Sequence, residues 1–325
     1  MSERGLIVAL LRRYAGLIIF AVVMLLFPFF ADDYSLHIGV TILMAAALGA
    51  SWNLLTLTGQ LSLGHAAFYG LGAYTAALLT SKLGTPPLLA IPIGGLVAAA
   101  SSLVIGSITL RMRGIYLAIT TLAFAEALRV ATINLPSITN GAVGVTVNAL
   151  FDGEKAGAYF VMAAIAFLIA LGTQWIFQSP LHFAFTAIRE NQEAAAMLGI
   201  DLTRYKLLAF GLSAFGTGLV GGFYPYYVTY IVPDNVFGMH ISVTAQVYAL
   251  FGGLYTVMGP VVGAGVLEVM NEFLRQHLEQ ASLLVYGVVL VATIVFFPGG
   301  IVGSLKQLWR RREAKRAHVK TTESL

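Results

Sequence analysis

The residues of this 325-residue sequence able to do chemistry are few, and several fall in one stretch. Gly59, Gly64, Gly70 and Gly72 interrupt an apolar run that also carries Gln60, Ser62, His65, Tyr69 and Tyr74. Broken helices with polar side chains are tolerated inside a membrane where they line a cavity. Gln60, Ser62, His65 and Tyr69 are therefore the candidate pathway residues. The competing role for the same groups is to bond one helix to another, at about 0.6–2 kcal/mol per interhelical hydrogen bond. Glu126 and Arg129 lie three apart and can pair along one helix face. An unpaired charge at the bilayer centre costs about 2.5–3.5 kcal/mol, so pairing or a position near a helix end is expected. A proton relay is the chemistry such a pair would offer. Other chemistry is excluded by spacing. The six histidines are scattered without ligand spacing, no Gly-Lys pair exists to form a phosphate-binding loop, no G-x-S-x-G elbow occurs, and cysteine is absent. No catalytic residue, metal site or cofactor is expected in this chain.

The elements that must position these residues are hydrophobic. With 58% hydrophobic and 10% charged residues and a mean hydropathy of +0.84, there are too few charges to coat a soluble globule. Runs near 14–30, 38–57, 61–81, 87–109, 114–133, 157–177, 205–228, 240–258, 260–274 and 281–297 are candidate crossings. The third, eighth and ninth are short or glycine-rich, and an even total survives if two of them form a single hairpin. The fold class is thus an all-α polytopic transmembrane bundle of about 8–10 spans. Of 19 lysines and arginines, 15 fall in four patches: Arg4/Arg12/Arg13, Arg111/Arg113, Arg189/Arg204/Lys206, and Lys306 to Lys320. Cytoplasmic flanks collect such residues, so both termini and all four patches are placed inside. Phe29 and Phe30 stand where a signal-peptide cleavage site would need small residues, so the first run is expected to be a retained anchor. Residues 1–305 form the membrane domain and 306–325 a basic tail that meets lipid headgroups rather than nucleic acid.

Small residues at steps of four, Gly94/Ala98/Ser102/Gly106 and Gly218/Gly222, predict close helix packing. Gly59, Leu61, Gly70 and Gly72 match Gly252, Leu254, Gly263 and Gly265 at one constant offset, a faint internal repeat whose two copies run in the same direction by this count. Thr139-Asn140-Gly141 is a helix cap or a contact for an outer partner.

The longest cytoplasmic loop, about 179–206, holds helix-forming residues from Ala187 to Leu198 with Gly199 where a C-cap belongs. Ile188, Ala195 and Leu198 can share a face. A helix too short to span must dock on its own bundle, on lipid or on a partner.

Glu193-Ala194-Ala195 followed by Gly199 resembles the E-A-A-x-x-x-G coupling loop of ABC importer permeases. With Gly59-Gln60-Leu61-Ser62-Leu63-Gly64-His65, Leu110-Arg111-Met112-Arg113-Gly114-Ile115-Tyr116, Arg204-Tyr205-Lys206-Leu207, and Gly252-Gly253 before Met258-Gly259-Pro260, the chain is similar to the permease family of branched-chain amino-acid ABC importers, specifically the longer of its two membrane subunits, over about residues 35–305. Leu207-Leu208 replaces the Leu-Pro pair of the general coupling-loop pattern. The resemblance implies a bacterial inner-membrane subunit, not itself an enzyme. Its partners would be a homologous permease chain, two ATP-binding cassette subunits and an extracytoplasmic solute-binding protein. Arg189, Glu190, Glu193, Ala194, Ala195 and Gly199 would couple to the ATPase. The cargo would be branched-chain or related small neutral amino acids, with urea or short amides as the alternative within the family and ion-coupled secondary transport as the alternative outside it.

Overall fold

The computed structural model describes residues 3–112, 114–278, 287–288, 291 and 300–303, with side chains from Tyr14 onward. The side chains of Arg4, Arg12, Arg13 and Arg113, most of the run at 281–297 and the tail at 306–325 lie outside the described residues. In chain order come α1 Glu3–Leu26, α2 Asp33–Thr56, α3 His65–Leu83, α4 Pro87–Thr109, α5 Ile115–Asn134, α6 Pro136–Thr139, α7 Lys155–Gln178, α8 Pro180–Glu190, α9 Gln192–Met197, α10 Leu202–Val228, α11 Pro233–Val236, α12 Met239–Gly252 and α13 Gly259–Leu278. The strands β1 Val145–Thr146 and β2 Tyr230–Ile231 pair antiparallel between α6 and α7 on one side and after α10 on the other. The chain is an all-α polytopic membrane bundle.

Local chemistry sets the helix limits. Asp32 caps α2, its carboxylate accepting from Ser35 N at 3.3 Å, and the bonds from Ser35 hold its pKa below the usual carboxylate value. Prolines open α4, α6, α8 and α11, where a missing N–H costs nothing. By length and apolar composition α2, α4, α5, α7 and α10 can each cross a membrane. Burial orders them: 78% of the apolar window of α2 and 67% of that of α10 lie inside the bundle, against 22% for α5. So α2 and α10 are central, and α5 turns most of its surface outward.

Backbone approaches backbone closely along the seam among α3, α4 and α10. A β-carbon on Gly94 would stand 2.7 Å from the Gly72 carbonyl oxygen, one on Gly218 would stand 2.5 Å from Ala98 Cβ, and one on Gly72 would run into the Gly218 backbone. Gly94, Ala98, Ser102 and Gly106 are all buried, as their spacing predicts. Phe210 closes on Gly106 at the far end of the stripe. Close approach on this scale gives dispersion contact where lipid supplies no hydrophobic drive.

Contacts at the two ends agree with the alternating direction of the helices. One end gathers Lys155 and Asp33 at 3.6 Å, Arg129 and Asp234 at 2.5 Å, and Lys82 Nζ on the Ile138 carbonyl at 2.6 Å. The other end holds α8 and α9, the loops after α2 and α12, and Gly300, which lies against Gly253.

Candidate functional site

Two features are candidates: a junction at the α8–α9 end, and a cavity toward the opposite end. The junction begins with the loop 57–64, which separates α2 from α3 and is mostly buried although it is not helical, with Gly59 and Leu61 exposed. Several of its polar groups are satisfied by neighbours. Trp52 Nε1 donates to the Ser62 carbonyl at 2.9 Å, Leu63 N to Thr121 Oγ1 at 3.1 Å, and Gly64 N to Ser62 Oγ at 3.0 Å. His65 Nε2 lies 2.8 Å from Ser213 Oγ, which donates to the Ser51 carbonyl at 2.6 Å. Gln60, Ser62 and His65 are each at most 2% exposed and sit in close-packed surroundings. Gln60 Oε1 is buried without a hydrogen-bond partner. Of the four candidate pathway residues, Tyr69 borders a cavity described below, Ser62 and His65 belong to the hydrogen-bond network around the broken loop, and Gln60 is buried beside it.

A second loop of similar design follows α12. Asn53 on α2 donates from Nδ2 to the Thr256 carbonyl at 2.9 Å and accepts from Tyr255 N at 3.1 Å, which ties the loop 253–258 to the end of α2 at Tyr255 and Thr256. The two loops meet at one side chain. The Arg189 guanidinium lies 4.1 Å over the Tyr255 ring, and a β-carbon on Gly59 would be 3.2 Å from Arg189 Cα. Gly59 has φ +74°, so both its backbone conformation and this approach favour glycine. The internal repeat therefore has an architectural counterpart: helix, broken loop, helix, with both loops at the same end. The residue match does not extend to contacts. Gly72 is wedged against Gly218, whereas its counterpart Gly265 has open space around it.

The coupling loop differs from its sequence reading in one respect. Instead of a single helix from Ala187 to Leu198, α8 ends at Glu190 and α9 begins at Gln192. Asn191 is extended, at φ −157° and ψ 109°, and its Oδ1 caps Glu193 N at 3.0 Å and Ala194 N at 3.1 Å. The elbow redistributes the faces. Ile188 and Ala195 pack inward at 0% and 2% exposure, but Leu198 is 79% exposed and stands beside Met197 at 84%. Glu190 bridges Arg189 at 3.1 Å and Glu193 is exposed. Ala194 is half-buried. Gly199, at φ +81°, ends the element as expected, Ile200 N reaching back to the Ala195 carbonyl at 3.1 Å. Lys206 Nζ donates to Gln192 Oε1 at 2.9 Å and so ties α10 to α9. On α8, His182 stacks on Phe177, and burial followed by the nearby Arg189 charge lowers its pKa.

Near the opposite end lies a cavity of about 390 Å³ among α2, α3, α10, α12 and α13. Tyr69, Tyr224, Tyr227 and Tyr248 contribute to its wall together with His37, His240 and Glu268. Sequence reading missed these residues apart from Tyr69. The cluster Tyr224-Pro225-Tyr226-Tyr227 was the available signal, since three tyrosines around a proline are unusual in an apolar helix.

Two remaining candidates have structural roles. Arg129 bonds Glu126 through Nε at 2.9 Å and Asp234 at 2.5 Å, which pins α5 to the segment before α12 at the helix ends. The Thr139 hydroxyl donates toward the Thr132 carbonyl at 2.6 Å and accepts from Gly141 N at 3.2 Å, the turn-forming role of that motif.

A family described as "Branched-chain amino acid transport system / permease component" matches residues 34–294. The chain is 30% identical over 311 residues to the high-affinity branched-chain amino acid transport system permease protein LivM of Salmonella typhimurium, covering 86% of this chain and 73% of that relative. It is 30% identical over 305 residues to LivM of Escherichia coli, covering 85% and 71%. Against the probable branched-chain amino acid transport permease protein LivH of Methanocaldococcus jannaschii the identity is 27% over 294 residues, covering 81% and 89%. No solved structure matches the chain.

Proposed function

The chain belongs to the permease family of branched-chain amino-acid transport systems, and from that premise we propose that it is one membrane subunit of an ATP-driven importer whose energy enters through the α8–α9 elbow. The observation that carries this reading is Arg189. It stands on α8, next to the α9 segment that presents Met197 and Leu198 outward, and it touches both broken loops at once. A displacement of the elbow by an ATP-hydrolysing partner would therefore reach α2–α3 and α12–α13 together. No phosphate-binding loop is present in the sequence, so hydrolysis is assigned to partner subunits. The similarity to relatives named both LivM and LivH supports pairing with a homologous second permease. Cargo is assigned as branched-chain or related small neutral amino acids handed over by a solute-binding protein. The membrane is assigned as the bacterial inner membrane, with the α8–α9 end and both chain termini in the cytoplasm, because Arg189, Arg204 and Lys206 cluster at that end. Alternating access then follows as a shift between two arrangements of the bundle.

Ion-coupled transport would need Glu126 and Arg129 to carry charge through the membrane. Their three-membered cluster with Asp234 at the helix ends favours a pin instead. The test is reconstituted uptake. Transport should require ATP and the binding protein and persist when proton and sodium gradients are collapsed. Gradient-driven uptake by this chain in ATP-free vesicles, abolished by Glu126→Gln, would reverse the assignment.

A further inference from the structure

We propose that the tyrosine-walled cavity is a ligand site on the translocation path, and that Glu268 receives the ammonium group of a zwitterionic, aliphatic amino acid. The proposal rests on the importer reading and assigns it a place in the molecule. At about 390 Å³ the cavity falls within the range of small-molecule sites, roughly 300–1,000 Å³. It borders α2 and α10, the two most buried spans, and touches both broken hairpins through Tyr69 on α3 and Tyr248 on α12.

The charge pattern selects the ligand. Of the carboxylates on α13, Glu272 is bridged to Arg275 at 3.0 Å, whereas Glu268 accepts from the Tyr248 hydroxyl and forms no salt bridge among the described residues. A carboxylate facing a cavity inside a membrane bundle marks a ligand or ion pathway by default. Tyrosine rings on the same wall can add attraction for a cation: Tyr69 and Tyr224 stand with ring centroids 5.6 Å apart. Val220 and Ile241 supply apolar surface for an aliphatic side chain. The Tyr227 hydroxyl is already engaged with His37 Nδ1 at 2.5 Å, which leaves Glu268 as the lining group suited to an ammonium.

The chain has no cysteine, so a single Thr244→Cys on the cavity wall can report occupancy in the assembled importer in lipid nanodiscs. The rate of modification by a small thiol reagent is read on this chain by mass spectrometry, with three probes. L-leucine and 3-methylbutan-1-amine, which carry the ammonium, should slow labelling; 4-methylpentanoate, which lacks it, should not. Adding Glu268→Gln should raise the leucine concentration for half-protection about tenfold or more, as expected for loss of a charge-assisted hydrogen bond. Equal protection by 4-methylpentanoate, or a leucine curve unmoved by Glu268→Gln, would overturn the site. If Glu268→Gln does not assemble, the three-probe series on the Thr244→Cys chain decides alone. ATP-driven uptake by the same preparation is scored separately. Normal uptake with no protection by leucine or the amine removes this site and leaves the importer reading. Protection by both without ATP-driven uptake does the reverse.

Discussion

Arg189 concentrates several interactions in one side chain. Its guanidinium covers the Tyr255 ring, its Cα would crowd a β-carbon at position 59 at 3.2 Å, and it bridges Glu190. Lysine would keep the charge and lose the planar stacking surface, a change worth about 0.5–2 kcal/mol at such a site. Arg189→Lys is therefore expected to leave assembly intact but lower the ratio of substrate transported to ATP hydrolysed several-fold. Tyr255→Phe, which keeps the ring face, should retain the ratio, and Tyr255→Leu should not; measuring both rates on one reconstituted sample checks this. Gly199 offers a contrast. Nothing lies within 4 Å of the position its β-carbon would occupy, so the cost of Gly199→Ala inside this chain is the left-handed conformation alone, about 1–2 kcal/mol. A larger loss of transport than of thermal stability would mean that the missing volume belongs to a partner. Arg189 was visible in the sequence as a loop charge, but Tyr255 was not. Its pairing depends on a distant turn at φ +59° that no local pattern announces.

At the scale of the element, the α8–α9 elbow shows what periodicity hides. Every residue from Ala187 to Leu198 tolerates a helix, so the sequence read as one; the break is set by Asn191, which gains two capping bonds by leaving the helical region. Asn191→Ala removes that cap and should cost about 1 kcal/mol, with the two short helices tending to merge and Leu198 turning toward the bundle. Cysteine labelling at position 198 in the detergent-purified complex would register the turn as slower modification. The outward face gives a separate test. Met197→Asp with Leu198→Asp alters side chains that are 84% and 79% exposed, so the permease should keep its stability within about 0.5 kcal/mol. The ATPase subunits should dissociate during purification, and their retention at wild-type stoichiometry would remove the docking role. The small-residue stripes, by contrast, were legible as helix-packing surfaces, because glycine and alanine at steps of four let backbones approach in lipid.

Across the whole molecule, the alternation of basic patches and apolar runs was enough to order the bundle, and the end-to-end contacts agree with it. The pairs Lys155–Asp33 and Arg129–Asp234 lie at one end, and Arg189 and Lys206 at the other. Sequence could not identify the cavity, since its wall comes from five helices whose proximity only the packed bundle creates. Because the chain contains no cysteine, single cysteines map the orientation directly. Replacements at Lys155 and Asp234 should react with impermeant reagents in intact cells, while one at Asn191 should react only after lysis; labelling at Asn191 from outside would invert the assigned topology. The seam of α3, α4 and α10 also has a consequence for inheritance. Any single-base change in a glycine codon that alters the residue introduces a β-carbon, and at Gly72, Gly94 and Gly218 that atom has nowhere to go without moving backbone or the Ala98 methyl. These codons thus have no harmless missense neighbours. Genetic drift in this gene is expected to accumulate on the outward faces of α4 and α5, while the seam stays fixed under even weak selection for a folded bundle.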